Sequence, residues 1–199
     1  MADGDAPLTA FVALARGVNV GGRNRLAMAD LREIVERLGH IQVATHIQSG
    51  NVVFAAQAGP APADHDALAV AISAAISGRL GLEVDVMVRD RGALAHIINA
   101  VPFPDADPKQ MLVAFLDADP TPEARLALES VEAAPEQVWI HGREAYLHLP
   151  NGVGRSVLAP LLERRLRVRA TARNLATCRE LLAMLDRIDS LSHPAGPGA

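Results

Sequence analysis

One order of elements, strand, helix, strand, strand, helix, strand, can be read twice along this chain, on either side of prolines at Pro102, Pro104 and Pro108. That order leaves few architectures open. A right-handed crossover joins strands one and two, and a hairpin joins two and three, so each copy closes one small sheet with helices packed on it. The first copy begins with the apolar run Leu8–Ala15, broken by residues 17–24. Met28, Leu31, Ile34, Val35 and Leu38 then recur at helical spacing and stop at Gly39, a natural C-terminal cap. Val43, Thr45 and Ile47 alternate with Ala44, His46 and Gln48, and Ser49-Gly50 predicts a two-residue hairpin into residues 51–55. Asp64 or Asp66 caps a helix carrying Leu68, Ile72, Ile76 and Leu80, and residues 83–89 read as a strand.

A helix over residues 90–99 links this copy to the second. There Met111–Leu116 is a strand, and Thr121-Pro122-Glu123 opens a helix with a good cap and Pro at its first position. Residues 138–140 and 145–149 flank a turn at Gly142-Arg143. A helix over 156–166, with Pro160 troubling its first turn, a short strand near Val168 and a last helix carrying Cys178 complete the copy. The fold class expected is α+β: two tandem ferredoxin-like (βαββαβ) units with a linking helix and a C-terminal helix. The boundaries are 7–89 for the first unit, 90–108 for linking helix and connector, and 109–189 for the second unit with its helix. A single doubly wound sheet needs stricter strand–helix alternation than the chain shows.

Composition bears mainly on partners. A net charge of −4 gives no global pull toward nucleic acid or an anionic membrane, and 3% aromatic residues leave few rings to stack on bases. Residues 155–179 nevertheless carry seven arginines against Glu163, a local +6, either a solvated face or an electrostatic site. The single cysteine, Cys178, excludes an internal disulfide and lies in the apolar register Leu175, Cys178, Leu181, Leu182, Leu185, which favours burial over a catalytic thiol. With no run of eighteen apolar residues and no charged-then-apolar leader, a soluble cytoplasmic protein is expected.

The expected topology puts the loop after the first strand beside the hairpin after the second. Arg16, Asn19, Gly21, Gly22 and Asn24 would then meet Gln48, Ser49 and Asn51, with Gln48 and Asn51 paired across the hairpin. Guanidinium groups, amides and exposed backbone N–H groups without a nearby acid suit an anionic or amide-rich ligand. In the second copy, Gly152, Gly154 and Ser156 lie at the sheet end shared with Arg173 and Asn174, where glycine-rich backbone ahead of a helix can face an anion. The competing reading is structural: turns supplied by Gly and Asn, a hairpin closed by amides, and Asn174 capping the last helix.

Neither a Walker loop nor G-x-G-x-x-G is present, and Ser49 has no nucleophile elbow. His141 and His148, on opposite arms of the second hairpin, have only Glu144 nearby and read as surface histidines rather than metal ligands. No acid, base or nucleophile can be nominated, so enzymatic activity is left open, and no cofactor or metal is expected.

Arg16-Gly-Val-Asn-Val-Gly-Gly-x-Asn24, then Met28-Ala-Asp-Leu31 and Ile47-Gln-Ser-Gly-Asn-Val-Val-Phe54, closely resemble the start of the domain-of-unknown-function 1697 family. Gly152-x-Gly-x-Ser156 and Thr171-x-Arg-Asn-x-x-Thr177 look like its downstream motifs. The resemblance runs from about Thr9 to Leu185 and implies a duplicated α+β architecture with no established activity. Leu175 stands where an aromatic residue is expected and His46 where a tyrosine is. The first expectation is a small anionic or nucleotide-like ligand at the polar loops. The alternatives are a nucleic-acid-binding module, disfavoured by the missing aromatics, and a protein–protein interaction module. Homo-oligomerisation is left open and no membrane partner is expected.

Overall fold

The structure, a computed structural model, describes residues 8–21, 24–57 and 64–192. Among these residues the protein is mixed α+β, with two four-stranded antiparallel sheets and six α-helices.

The first sheet carries β1 (Leu8–Ala15), β2 (Ile41–His46), β3 (Asn51–Gln57) and β4 (Val86–Asp90) in the order β2-β3-β1-β4. Helix α1 (Met28–Arg37) lies between β1 and β2 in the chain, and α2 (His65–Leu80) between β3 and β4. Alternation along β1 sends Phe11, Ala13 and Ala15 to the face that buries Leu31, Ile34 and Val35 of α1 and Ile72 and Ile76 of α2. Phe11 and Phe54 stack there at 5.7 Å between ring centroids. Each fully buried side chain of this size contributes roughly 1.5–3 kcal/mol relative to exposure. The other face of β1, with Ala10, Val12 and Leu14, is buried too. Asp64 caps α2 by accepting from the N–H groups of Asp66 and Ala67, and Gly81 ends it in the left-handed conformation.

The second sheet carries β5 (Met111–Leu116), β6 (Gln137–His141), β7 (Glu144–His148) and β8 (Ala170–Asn174) in the order β6-β7-β5-β8. Helix α4 (Pro122–Glu129) follows β5, and Thr121 caps it by accepting from Ala124 N–H. Ala114, Leu116, Leu128, Ile140, Leu147 and Leu162 lie in its core. Helices α3 (Arg91–Asn99) and α6 (Leu175–Ser192) follow β4 and β8. The described chain divides into two compact units, residues 8–94 with 181–192, and residues 95–180. In the first of these, Arg91 Nε donates to Asp186 Oδ1 at 2.7 Å and lies 3.3 Å from Asp189 Oδ2, fastening the C-terminal turns of α6.

Three local expectations are corrected. The β2–β3 hairpin has a four-residue turn: His46 pairs with Asn51, so Gln48 does not face Asn51 across the ladder. Ile47 takes a left-handed φ of 50° and ends β2 at His46, two residues early, and Asn51 Nδ2 closes the turn onto His46 O and Ser49 Oγ. The helix expected over 156–166 is broken into a 3-10 turn, Ala159–Leu161, and a short α5 (Leu162–Leu166), since Pro160 removes a backbone donor. The strand expected near Val168 begins at Ala170, after Arg167 has ended α5 at φ 58°.

Candidate functional site

The loop from β1 to α1 and the β2–β3 turn are locked together by one side chain. Asn19 Nδ2 donates to Gln48 O and to Leu26 O, both at 2.8 Å, while its Oδ1 accepts from Leu26 N–H at 3.1 Å. Asparagine suits the position, because φ is 56° and a short amide side chain tolerates left-handed backbone. Asn19 N–H donates to Asn24 O at 3.1 Å, and Asn24 Nδ2 donates to Gly17 O at 3.5 Å. The turn is pinned from below by Ala15 N–H donating to Gly50 O at 2.8 Å. A Cβ on Gly50 would sit 2.5 Å from Val18 Cγ2 and 2.8 Å from Ala15 Cβ, at φ 73°, so only glycine fits there.

The residues singled out in the sequence therefore hold different positions. Asn51 is fully buried and Ser49 half-buried, bonded to each other. Gly21 takes a left-handed φ of 58°, and Gly22 lies outside the described residues. Arg16 is half-exposed, with Nη1 at 3.5 Å from Asp85 Oδ2. Asn19, Gln48, Arg25, Leu26 and Ala27 line a pocket of about 300 Å³. Arg25 and Gln48 are exposed, and among the described residues no hydrogen bond or ion pair engages their side-chain polar groups. Ala27, at the N-cap of α1, has no side chain to accept from the first-turn N–H groups of that helix. Arg25 and Ala27 were missed as site residues. Their signal was the adjacency of an arginine and a capless helix start.

In the second sheet's unit, Gly152 opens a 3-10 turn (Val153–Arg155) at φ 79°, and Gly154 lies within that turn. The backbone beyond it already faces an anion, the carboxylate of Glu136. That group accepts from Ser156 Oγ at 2.8 Å, from Val157 N–H at 3.0 Å and from Leu158 N–H at 3.0 Å. Burial opposes ionisation of Glu136, but the hydrogen bonds from Leu158, Ser156 and Val157 outweigh it and hold its carboxyl below the usual range. Asn174 Oδ1 accepts from Thr177 N–H at 2.8 Å, a helix cap. Arg173 is buried, with Nη1 donating to Thr171 Oγ1 and Ala172 O, both at 2.8 Å. Burial lowers it to about 10, leaving it cationic at neutral pH.

Cys178 is fully buried, and burial pushes its thiol up to about 12, so it is no nucleophile near neutral pH. His141 stacks on Trp139 at 5.5 Å and His148 lies 5.8 Å from the Phe103 ring. Among the described residues no group of three or more His, Cys, Asp or Glu could hold a metal ion, and no helix is long and apolar enough to cross a membrane.

The chain is similar in structure to conserved bacterial protein SP0830 from Streptococcus pneumoniae, with a TM-score of 0.70 at 20% identity, over 89% of this chain and 99% of that one. Identity that low speaks for the fold alone. No curated protein matches. The family model described as "Protein of unknown function (DUF1697)" matches residues 8–146, a span that holds the Asn19 clamp, the Gly50 turn and the pocket beside them. The chain belongs to the DUF1697 family.

Proposed function

We propose that the first unit binds a small anion, of carboxylate or phosphate-monoester size, in the pocket between the β1–α1 loop and the β2–β3 turn. One observation carries the reading: Arg25 and Gln48 face a common pocket with their polar groups unspent, beside the capless start of α1, while Asn19 spends its own amide holding the walls. A guanidinium and a free amide in fixed walls are the usual recognition elements for a carboxylate or phosphate, and first-turn N–H groups add partial positive charge. Asp30, in the first turn of α1, answers the dipole but is no N-cap. Arg16, held near Asp85, contributes positive potential from the start of the loop.

The sheet orders β2-β3-β1-β4 and β6-β7-β5-β8 support reading both units as ferredoxin-like repeats that present loops at one sheet end. A single buried cysteine is consistent with the cytoplasm.

Calorimetric titration with inorganic phosphate and with a nucleoside monophosphate tests the proposal. The expected result is saturable binding that Arg25→Ala and Gln48→Ala each weaken by roughly tenfold, with Tm unchanged. Binding untouched by both substitutions, or none in the native protein, overturns it.

A further inference from the structure

A second cavity, of about 660 Å³, lies wholly within the second unit, between the start of α4 and the end of α5. Its lining is Thr121, Glu123, Ala124 and Ala127 on one side and Arg164, Arg165 and Arg167 on the other. Several arginines elsewhere find carboxylates: Arg79 on Glu33, Arg91 on Asp186, Arg125 on Asp119, Arg169 on Asp117. Among the described residues, the guanidinium groups of Arg164, Arg165 and Arg167 are engaged by no hydrogen bond or ion pair. Glu123, the one acid among the described lining residues, is turned back on its own cap, where its N–H and the Thr121 hydroxyl hold its carboxyl below the usual range. Three like charges around one concavity repel each other, and in water that arrangement contributes nothing to folding.

Arg167 holds a distinct backbone position among the three. It ends α5 in the left-handed conformation, φ 58°, where glycine or asparagine would be unstrained. The strain itself asks for no charge, since Gln42 and Ile47 take the same backbone at φ 54° and 50°, but the position sets a third guanidinium at the cavity beside the two on α5.

We propose that this cavity binds a small polyphosphate-like polyanion, held by Arg164, Arg165 and Arg167. The lining carries a formal +2, which asks for a ligand of more than one negative charge. Guanidinium groups suit phosphate oxygens because each presents a planar fork of donors. Among the described residues no aromatic side chain lines the cavity, so recognition rests on the phosphates and not on a stacked base. The volume is that of a small-molecule pocket, and the chain as a whole is acidic, which disfavours a long nucleic acid.

Titrating the intact protein with inorganic tripolyphosphate, beside inorganic phosphate and labelled single-stranded RNA, decides the matter. One-site binding of tripolyphosphate, tighter than that of phosphate, is expected. Arg165→Ala should weaken it by roughly tenfold. Arg167→Gly should weaken it similarly while raising Tm, since it removes the charge and relieves the backbone together. Arg25→Ala should leave it unchanged, which keeps this site distinct from the pocket in the first unit. Absence of saturable binding, or variants that bind like the native protein, would overturn the proposal. Tighter binding of RNA than of tripolyphosphate, lost in the same variants, would overturn the small-ligand assignment.

Discussion

Asp90 and Asn174 hold the same structural position in the two sheets. Each is the last residue of a closing strand, and each caps the helix that follows by accepting from the N–H three residues on, 2.7 Å to Ala93 and 2.8 Å to Thr177. The residue before each is a buried arginine, Arg89 or Arg173, and each donates through Nη1 to the carbonyl just behind it, at 2.9 Å and 2.8 Å. Each arginine also lies across from an inner valine, Val12 or Val113. A strand end, a cap and a buried cation thus recur as one device.

If Asn174 acts as a cap, Asn174→Ala should cost about 1 kcal/mol of stability, and Asn174→Asp should keep it, because either side chain accepts the Thr177 N–H. Urea denaturation of the three proteins is the measurement. Equal losses for Ala and Asp would show that the amide N–H groups, not the oxygen, matter there.

The Asn19 clamp predicts a contrast between neighbours. Asn19→Ala removes the bonds to Leu26 O, Gln48 O and Leu26 N–H and should destabilise by roughly 1–2 kcal/mol. Gln48→Ala leaves the carbonyl that Asn19 holds and should stay within about 0.5 kcal/mol of the native protein. Comparable losses in both would mean that the Gln48 side chain is structural.

Much of this was legible in the sequence. Helical spacing located α1 and α2, the Thr121-Pro122 signal located α4, and the glycines at 39 and 50 marked real turns, because each is a local preference written in adjacent residues. The β2–β3 register was not legible. Alternation runs through Ile47, and only the bond from Asn51 to His46 O, five residues back, shows that the turn has four residues. Glu136 was equally hidden. It lies twenty residues from Ser156, and nothing in its surroundings marks a carboxylate that will fill the turn expected to hold an external anion.

Gly50 and Gly81 separate steric fit from backbone conformation. Both have positive φ, 73° and 65°, but a Cβ at Gly81 meets nothing within 4 Å while one at Gly50 strikes Val18 and Ala15. Gly81→Ala should therefore cost about 1 kcal/mol, the left-handed penalty alone. Gly50→Ala should cost about 3 kcal/mol or more, with overpacking added. Thermal melts of the two variants suffice, and a Gly50→Ala protein no less stable than Gly81→Ala would show that the turn yields.

Glu136 predicts a pH dependence of known sign. Its carboxyl is held below 4.5 in the folded protein by donors from Leu158, Ser156 and Val157, against the opposing pull of burial. A depressed folded value means that the ionised group stabilises the fold above the unfolded value, and the contribution is lost as pH falls through the folded value. The window therefore opens just below pH 4.5 and closes at more acid pH. Glu136→Gln keeps a side-chain oxygen for one N–H but loses the charge that strengthens all the contacts, so it should cost about 1 kcal/mol at neutral pH, after discounting for solvent screening. The substitution should cost progressively less as the solution is acidified, because the native carboxyl is then neutral as well. Urea midpoints of both proteins between neutrality and pH 3 should converge on acidification; midpoints that stay a constant distance apart would show that the Glu136 contacts do not depend on its charge.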